Sequence, residues 1–282
     1  MSGQRPFVSV LTPTYNRSYF IPAIIQCYKN QTYPKDRMEW IILDDGTEPI
    51  ADFFTELSKS CPNIRYIHQE GPKVLIGAKR NRLMKEARGD IFVWMDDDDF
   101  YFPDRVAHAV MMLQRQPKVQ LAGSSQIFMY YFDTGKIHSF GPLHQKHATN
   151  GTMAIRKEYA RTHTYDETVT HAEEKSFLDD YKHDMVQLDS YKTMLVMAHS
   201  SNTFDKRNMR DRKTPTNISG APVMSLLKET TLKLKDFIRT AGQRNFYEGL
   251  RLKPTPAPAS ESTPAPATEQ ESAPEVQLTS ST

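Results

Sequence analysis

Four consecutive aspartates, Asp96 to Asp99, constrain the fold of this chain more than any other feature of its sequence. They follow the apolar run 91–95, which has the composition of a buried strand, and aromatic residues resume at once at Phe100. Adjacent carboxylates repel one another, so a folded protein accepts four of them only where water or a cation offsets their charge. The run therefore predicts a site for a hard cation at the carboxyl end of a parallel strand, where open α/β sheets bind their ligands.

The first part of the chain alternates between short apolar runs and amphipathic runs. We predict strands at 7–12, 40–43, 64–68 and 91–95, and helices at 20–28, 50–58, 77–87 and 103–114. This alternation indicates parallel βαβ units in a doubly wound sheet. Further along, 126–131 and 136–140 predict a β-hairpin and 152–155 a short strand, and we expect this section to form the far wall of a cleft.

The bulk properties of the 282 residues indicate one main domain with appended segments. A net charge of +2 gives no general indication of nucleic-acid or membrane binding. Cys27 and Cys61 lack the spacing of a zinc site, which favours a reducing compartment. The polar N-terminus lacks the apolar core of a signal peptide, and no run could span a bilayer. We predict a cytoplasmic protein, soluble or peripherally associated with a membrane, and not secreted.

The composition changes after residue 204. Residues 205–220 are polar and basic and predict a linker, and 221–250 predict an amphipathic helical segment, with apolar residues at helical spacing between Val223 and Phe246. Pro, Ala, Ser, Thr, Glu and Gln dominate the end of the chain, so we predict a disordered tail over 251–282. Two interpretations of 205–250 stay open: docking on an anionic membrane or a partner protein, or a helix packed back on the domain. No aromatic residues interleave with the basic run, which argues against nucleic acid.

Polar segments follow three of the predicted strands, at 12–17, 44–47 and 96–99. The carboxyl ends of neighbouring parallel strands share one edge of a sheet, so these segments can converge although they are far apart in sequence. Each segment alone is weak evidence, because an Asp-Asp-Gly turn or a polar helix cap is common. Together they predict one ligand-binding edge.

These segments resemble the family-2 glycosyltransferases, which have the GT-A fold. The resemblance is carried by VSVLTPTYNR at 8–17, ILDDGT at 42–47, GAKRN at 77–81 and ARGDIFVWMDDDD at 87–99. It implies an α/β, GT-A-type single domain with a mostly parallel central sheet flanked by helices, followed by a C-terminal helix and a disordered tail. The catalytic domain would be 1–204, with a nucleotide-binding half at about 1–125 and an acceptor half at 126–204.

The resemblance also implies a metal site. Asp96 and Asp98 match the family's DxD positions, with Asp97 between them, and side chains two apart on an extended strand lie on one side. We expect Asp98 to bind Mn²⁺ or Mg²⁺ directly, and Asp96 to face the ribose or the cation. Some GT-A enzymes supply a late histidine to the metal or diphosphate, which makes His199 a third candidate ligand. A structural role for His199 is the alternative.

Further residues match the family's donor site. Asp44 and Asp45 lie where the family recognises the base and ribose, and a carboxylate can accept from uracil N3–H, which favours a UDP-sugar. The remaining donor-site candidates are Thr12, Pro13, Thr14, Tyr15, Arg80 and Asp97. For Arg80 the alternative is a surface charge on the helix predicted at 77–87. The segment 150–152 falls where the acceptor cleft is expected.

The resemblance places the catalytic base in an acidic pair at the start of a late helix. Here the pair is Glu173-Glu174, whereas the family usually has Glu-Asp. Glu174 is the position-matched base and Glu173 the second candidate. The alternative is a pair of first-turn acids that favour the helix dipole.

Taken together, the resemblance implies an enzyme, a metal-dependent inverting hexosyl- or deoxyhexosyltransferase. It would move a sugar from a nucleoside-diphosphate sugar to a hydroxyl of a glycan, lipid-linked or protein-linked acceptor. Two alternatives stay open. One is a non-catalytic module that binds nucleotide sugars, and the other is a sugar nucleotidyltransferase. The second class usually has a glycine-rich loop after the first strand, and 12–17 contains no glycine.

Overall fold

The computed structural model describes residues 5–48, 50–61, 63–170, 172–211, 217–218, 221–222 and 226–251. Its strands are β1 (Val8–Thr14), β2 (Met38–Asp44), β3 (Ile64–His68), β4 (Ile91–Trp94), β5 (Phe100–Tyr101), β6 (Leu121–Gly123), β7 (Ile127–Tyr131), β8 (Lys136–Phe140), β9 (Ala154–Arg156), β10 (Met185–Gln187), β11 (Met194–Ala198), β12 (Asn217–Ile218), β13 (Ala221–Pro222) and β14 (Leu227–Glu229). Its α-helices are α1 (Ile21–Lys29), α2 (Ala51–Ser58), α3 (Ile76–Glu86), α4 (Arg105–Arg115), α5 (Lys157–Ala160), α6 (Glu174–Phe177), α7 (Arg207–Arg210), α8 (Leu234–Phe237) and α9 (Ala241–Arg251). Short 3-10 turns lie at Ser18–Phe20, Lys35–Arg37, Asn150–Thr152 and Ser190–Lys192.

The central sheet has the strand order β10-β6-β9-β4-β1-β2-β3. β3, β2, β1 and β4 are parallel neighbours, with Val8 of β1 opposite Met38 of β2 and Ile91 of β4. β9 is antiparallel to β4 and β6, and β10 is parallel to β6. Every residue of β1, β2 and β4 is buried, as expected for parallel strands covered on both faces.

A second sheet has the strand order β14-β8-β7-β11-β5. β7 and β8 form the predicted hairpin, and β11 pairs with β7 in parallel. Because side chains alternate along a strand, Ile127 and Met129 point to one face and Phe128 to the other. Phe128 packs on Phe237, with ring centroids 5.1 Å apart, so α8 covers its face.

The predicted alternation of strands and helices is confirmed, because β1–β4 and α1–α4 lie within a few residues of their expected bounds. One difference is that β1 continues through Pro13 to Thr14. Its pairing with β4 stops at Leu11, so beyond that residue β1 needs partners only toward β2 and tolerates a residue without an N–H. Strands β5, β6 and β10 have two or three residues, too few to show a periodicity in the sequence.

The prediction of one helix between Val223 and Phe246 is wrong. Residues 223–225 lie outside the described residues, and the rest forms β14, α8 and α9. β14 pairs antiparallel with β8, and Thr230 continues this contact with an N–H bond of 2.9 Å to the carbonyl of Ile137. β14 thus supplies hydrogen-bond partners to the backbone at the edge of β8. These hydrogen bonds favour a strand here more than the helical spacing of the apolar residues favours a helix. Leu234, Phe237 and Tyr247 are buried against the domain, which favours packing over membrane contact.

The predicted basic linker is partly structured. α7 lies within it, and both terminal nitrogens of Arg210 pair with the carboxylate of Asp133, each at 2.8 Å. Residues 212–216 and 219–220 lie outside the described residues, as does the tail from 252 to 282. No described helix is both long and apolar enough to cross a bilayer.

We expect Phe237→Ala to destabilise the protein by about 3 kcal/mol, because it leaves a cavity among aromatic rings. Phe237 is 3% exposed and lies 5.1 Å from Phe128 and 5.6 Å from Tyr191, centroid to centroid. Urea unfolding measures the loss. The matched control is Phe53→Ala, since Phe53 is 39% exposed and should cost less than about 1 kcal/mol. Equal losses in the two variants would show that α8 does not contribute to the core.

Candidate active site

A cleft of about 880 Å³ opens where β1 and β4 end. The acidic run and the glutamate pair that includes the predicted catalytic base both line this cleft. The six residues are Asp96, Asp97, Asp98, Asp99, Glu173 and Glu174. The parallel register brings Thr14 opposite Asp44, so the first two polar segments also meet at this edge. The expected convergence of the three strand ends is confirmed by this geometry.

Arg17 neutralises the centre of the acidic run. Its Nη1 donates to Asp97 Oδ1 at 2.8 Å and to Asp98 Oδ2 at 2.7 Å, and its Nη2 donates to the carbonyl of Ser201 at 2.7 Å. Burial raises the pKa of Asp97 to about 6, although Arg17 opposes the rise. Burial also acts on Asp98, but Arg17 and His199 hold its pKa below the ordinary value. Arg17 ends the first motif, but its position in the sequence does not show which carboxylates it meets.

His199 and Asp98 come together as expected of a pair of metal ligands. The imidazole Nε2 lies 3.2 Å from Asp98 Oδ2, and the Asn202 amide is within reach of both, at 3.0 and 3.1 Å. Burial lowers the pKa of His199, which favours the neutral ring, and Ser201 Oγ lies 2.8 Å from Nδ1. If Nδ1 carries the proton, Nε2 presents a lone pair beside the carboxylate.

The donor set of Asp98 and His199 fits a divalent cation that takes its other ligands from substrate and water. The contacts of the Asp98 side chain with Arg17, Asn202 and His199 all use Oδ2. The described residues contain no group of three or more His, Cys, Asp or Glu side chains placed to hold a metal ion. Mg²⁺ and similar cations are commonly held by one or two carboxylates together with substrate phosphates.

Asp96 and Asp99 have separate partners. Asp96 Oδ1 lies 3.2 Å from Arg80 Nη1, and its carboxylate remains partly accessible from the cleft. Asp99 accepts the Met197 N–H at 2.8 Å, and burial raises its pKa well above the ordinary value although this hydrogen bond opposes the rise. Asp99 therefore fastens the acidic run to β11.

Asp44 and Asp45 are buried with specific partners. Asp44 accepts the Tyr66 hydroxyl at 2.7 Å, and Asp45 accepts the Val74 N–H at 2.6 Å. Lys79 completes the arrangement, because its Nζ lies 2.5 Å from Asp45 and donates to the carbonyl of Thr14 at 3.1 Å. Burial lowers the pKa of Lys79 despite Asp45. Lys79 was not selected from the sequence, although it lies in the GAKRN motif.

The four candidates at the end of β1 divide into two groups. The Thr12 hydroxyl donates to the carbonyl of Met95 at 2.6 Å and accepts from Trp40 Nε1 at 2.8 Å, so we leave it out of the donor site. Thr14 is buried in the same strand. Pro13 lines the cleft, and the Tyr15 ring lies 5.1 Å from Lys73 Nζ.

Arg80 joins the acidic run to the glutamate pair. Its Nε donates to Glu173 Oε1 at 3.0 Å, and its Nη1 faces Asp96. The guanidinium lies 4.8 Å from the Trp94 ring centroid, and the residue is 4% exposed. The alternative of a surface charge is therefore wrong for Arg80.

The two glutamates have different environments. Glu173 Oε1 accepts from Arg80 and from Asn150 Nδ2, the latter at 2.7 Å, whereas Asn150 lies 3.4 Å from Glu174. The Tyr165 hydroxyl donates to Asn150 at 2.9 Å and orients its amide. Burial, with a smaller effect of Glu173, raises the pKa of Glu174 to about 7. Helix α6 has four residues, so its dipole is a weak reason for the two acids.

The opposite side of the cleft is apolar. It is formed by one face of the second sheet, which contributes Ile127, Met129, Phe140, Met194 and Val196. The alternation along β7 and β11 places these side chains on the face opposite Phe128. The cleft thus has a charged side toward the central sheet and an apolar side toward the second sheet.

The sequence profile of Glycosyl transferase family 2 matches residues 9–178, more than half of the chain. Among curated proteins, the chain is 32% identical over 98 residues to the poly(ribitol-phosphate) beta-glucosyltransferase of Bacillus spizizenii, a match that covers 33% of this chain and 15% of the relative. It is 31% identical over 102 residues to glycosyltransferase AglE of Haloferax volcanii, covering 35% of this chain and 32% of the relative. The matched segments span a third or less of these relatives.

Solved glycosyltransferases share the fold. The mannosyltransferase PcManGT of Pyrobaculum calidifontis, in complex with GDP-Man and Mn²⁺, has a TM-score of 0.56 at 16% identity, covering 74% of this chain and 61% of that one. TarS 1-349 of S. aureus, in complex with UDP-GlcNAc, has a TM-score of 0.52 at 16% identity, covering 70% and 60%. At these identities the likeness shows the fold, and the prediction of a GT-A-type α/β fold is confirmed.

We expect Glu174→Gln to stabilise the protein at pH 8 by about 1–2 kcal/mol. The pKa of Glu174 rises from 4.5 to about 7 in the folded state. The folded state therefore favours the protonated carboxyl. The stability that this preference contributes is fully present below about pH 4.5 and is lost as the pH rises through about 7. A shift of this size corresponds to at most about 3 kcal/mol, and solvent contact of the side chain reduces it.

Urea unfolding at pH 4.5 and pH 8 tests this expectation, because the gain from Gln should vanish at the lower pH. The matched control is Glu158→Gln, which changes an exposed glutamate and should give no pH-dependent difference. A loss of stability at pH 8 in the Glu174 variant would contradict the assignment.

Proposed function

Because the chain belongs to glycosyl transferase family 2, we propose that its cleft transfers a sugar from a nucleoside-diphosphate sugar to an acceptor hydroxyl. The observation that carries the proposal is that one cleft contains both a cation-compatible acidic site and a glutamate with a pKa of about 7. Asp98, whose carboxylate lies 3.2 Å from His199 Nε2, supplies the first, and Glu174 supplies the second. A binding module without catalysis would not need a carboxyl group adapted to proton transfer, so Glu174 favours an enzyme.

We assign the donor to the charged side of the cleft. Asp44, Asp45 and Tyr15 would face the nucleoside, and a carboxylate acceptor favours uracil. Asp98 and His199, with Asp96 nearby, would hold Mn²⁺ or Mg²⁺, as Mn²⁺ accompanies GDP-Man in the PcManGT complex. When bound, such a cation offsets the negative charge that develops on the leaving nucleoside diphosphate. Arg80 contacts both Asp96 and Glu173, so it would keep the donor side and the glutamate pair in fixed relative positions.

Glu174 is our candidate for the catalytic base. Glu173 Oε1 already accepts from Arg80 and Asn150, whereas the contact of Asn150 with Glu174 Oε2 is longer, at 3.4 Å. Glu174 would take the proton from the acceptor hydroxyl as its oxygen forms the new bond to the anomeric carbon. The bond from that carbon to the diphosphate breaks, and the nucleoside diphosphate leaves. Attack from the face opposite the leaving group inverts the anomeric configuration.

The acceptor would enter beside the second sheet. Met129, Met194 and Val196 give this side an apolar surface, and methionine side chains adapt to irregular apolar groups. Of the glycan, lipid-linked and protein-linked acceptors, this surface favours one with an apolar group near the accepting hydroxyl.

We expect Asp98→Asn to lower transfer by about 10²–10³-fold, since it removes the charge that holds the cation while keeping the shape of the side chain. The assay supplies UDP-sugars or GDP-Man with Mn²⁺, and a parallel series contains EDTA. The matched control is Asp104→Asn, an exposed aspartate that accepts a hydrogen bond from Thr32 at 2.9 Å. Full transfer in EDTA, or by the Asp98 variant, would overturn the proposed metal dependence.

We expect Glu173→Gln to move the acid limb of the pH profile of kcat/KM to lower pH. Removing the negative charge beside Glu174 takes away one cause of its raised pKa, so the base ionises at a lower pH. The position of the limb is the readout, because the absolute rate also reflects the lost contact with Arg80. A limb that stays in place would argue that Glu174 is not the titrating base, and Glu174→Gln should then retain activity.

A further inference from the structure

Arg17 has the best-defined contacts of any cation in the cleft, and the proposed donor site gives it no role. Its guanidinium spans Asp97 and Asp98 at 2.8 and 2.7 Å and reaches the carbonyl of Ser201 at 2.7 Å. Its side chain is 17% exposed, and those of Asp97 and Asp98 are 1% and 7% exposed. The contacts are therefore shielded from water and weakly screened by salt.

The charges around Arg17 are unbalanced both without and with a bound cation. Without a cation, negative charge is in excess, and with a cation, positive charges lie close together. Two buried carboxylates share one guanidinium, so Asp98 needs Arg17 to avoid a buried, unpaired charge. A divalent cation at Asp98 would place positive charges next to Arg17 in a buried site, where charges interact strongly. Arg17 and a cation therefore oppose each other at Asp98.

The contacts also show how Arg17 can lose its bond to Asp98 and remain in place. It holds Asp97 and Ser201 in addition to Asp98, so the loss of one partner leaves it two others. Ser201 is itself fixed, because its Oγ lies 2.8 Å from the Tyr19 hydroxyl and 2.8 Å from His199 Nδ1. The guanidinium can thus release Asp98 without leaving the cleft.

We propose that Arg17 is the resident counter-ion of Asp98 and competes with the divalent cation for this carboxylate. This inference rests on the proposed function. It assigns Arg17 a positioning role. Because Arg17 competes for Asp98, the protein alone binds Mn²⁺ weakly, and the phosphates of the donor supply the extra negative charge that makes Mn²⁺ binding tight. The cation and the nucleotide sugar would then bind together rather than independently.

The test measures Mn²⁺ binding to the full chain without nucleotide, by electron paramagnetic resonance of free Mn²⁺. Arg17→Gln should bind Mn²⁺ about tenfold more tightly than the unaltered protein, because the competing charge is gone. Its thermal midpoint should fall in EDTA and recover with Mn²⁺. The matched control is Arg65→Gln, since Arg65 also faces two carboxylates, Glu86 at 2.6 Å and Glu39 at 3.8 Å. The control should leave Mn²⁺ affinity unchanged.

An Mn²⁺ affinity of Arg17→Gln that equals or falls below that of the unaltered protein would overturn the proposal and make Arg17 a permanent scaffold. If this variant does not fold, Arg17→Met decides, because it also removes the competing charge and keeps an unbranched side chain. It should bind Mn²⁺ about tenfold more tightly, and unchanged or weaker binding overturns the proposal. Asp98→Asn tests the proposed metal site separately from the competition by Arg17. If this variant binds Mn²⁺ as well as the unaltered protein, the metal site at Asp98 is wrong, whatever the Arg17 variants show.

Discussion

The structure depends on the pairing of buried charges at the carboxyl edge of the central sheet. Parallel strands bring carboxylates from several segments to one edge, and burial makes each of them costly unless it is paired. Arg17 serves Asp97 and Asp98, and Lys79 serves Asp45. These pairs connect segments that are far apart in sequence, so neutralising the edge also fixes the geometry of the cleft.

The pairing produces a cleft with two different sides. Toward the central sheet, ion pairs hold charged groups in place, and on this side we propose that the diphosphate and the cation bind. Toward the second sheet, Met129 and Met194 offer an apolar surface. Glu174 lies in the same cleft, and burial together with the charge of Glu173 raises its pKa to about 7. A carboxyl group in this state suits the proton transfer that we propose for it.

The fold was largely predictable because the first four strands and helices have clear periodicity, and the motifs at their ends identified one ligand-binding edge. The partners of the site residues were not predictable. Arg17 and Lys79 stand inside recognisable motifs, yet only the fold shows which carboxylates they meet. The segment after Val223 failed for a related reason. Its apolar residues do recur at helical spacing, but β14 within this segment pairs as a strand with the edge of β8.

The central claim is that the cation and the nucleotide meet at Asp98, next to His199, at the cleft that also contains Glu174. The most direct measurement is a crystal structure of the full chain with UDP and Mn²⁺, in which anomalous scattering locates the manganese. We predict one manganese peak between Asp98, His199 and the diphosphate, with uracil toward Asp44 and Asp45. A nucleotide bound elsewhere, or manganese away from Asp98 while UDP occupies the cleft, would contradict the account.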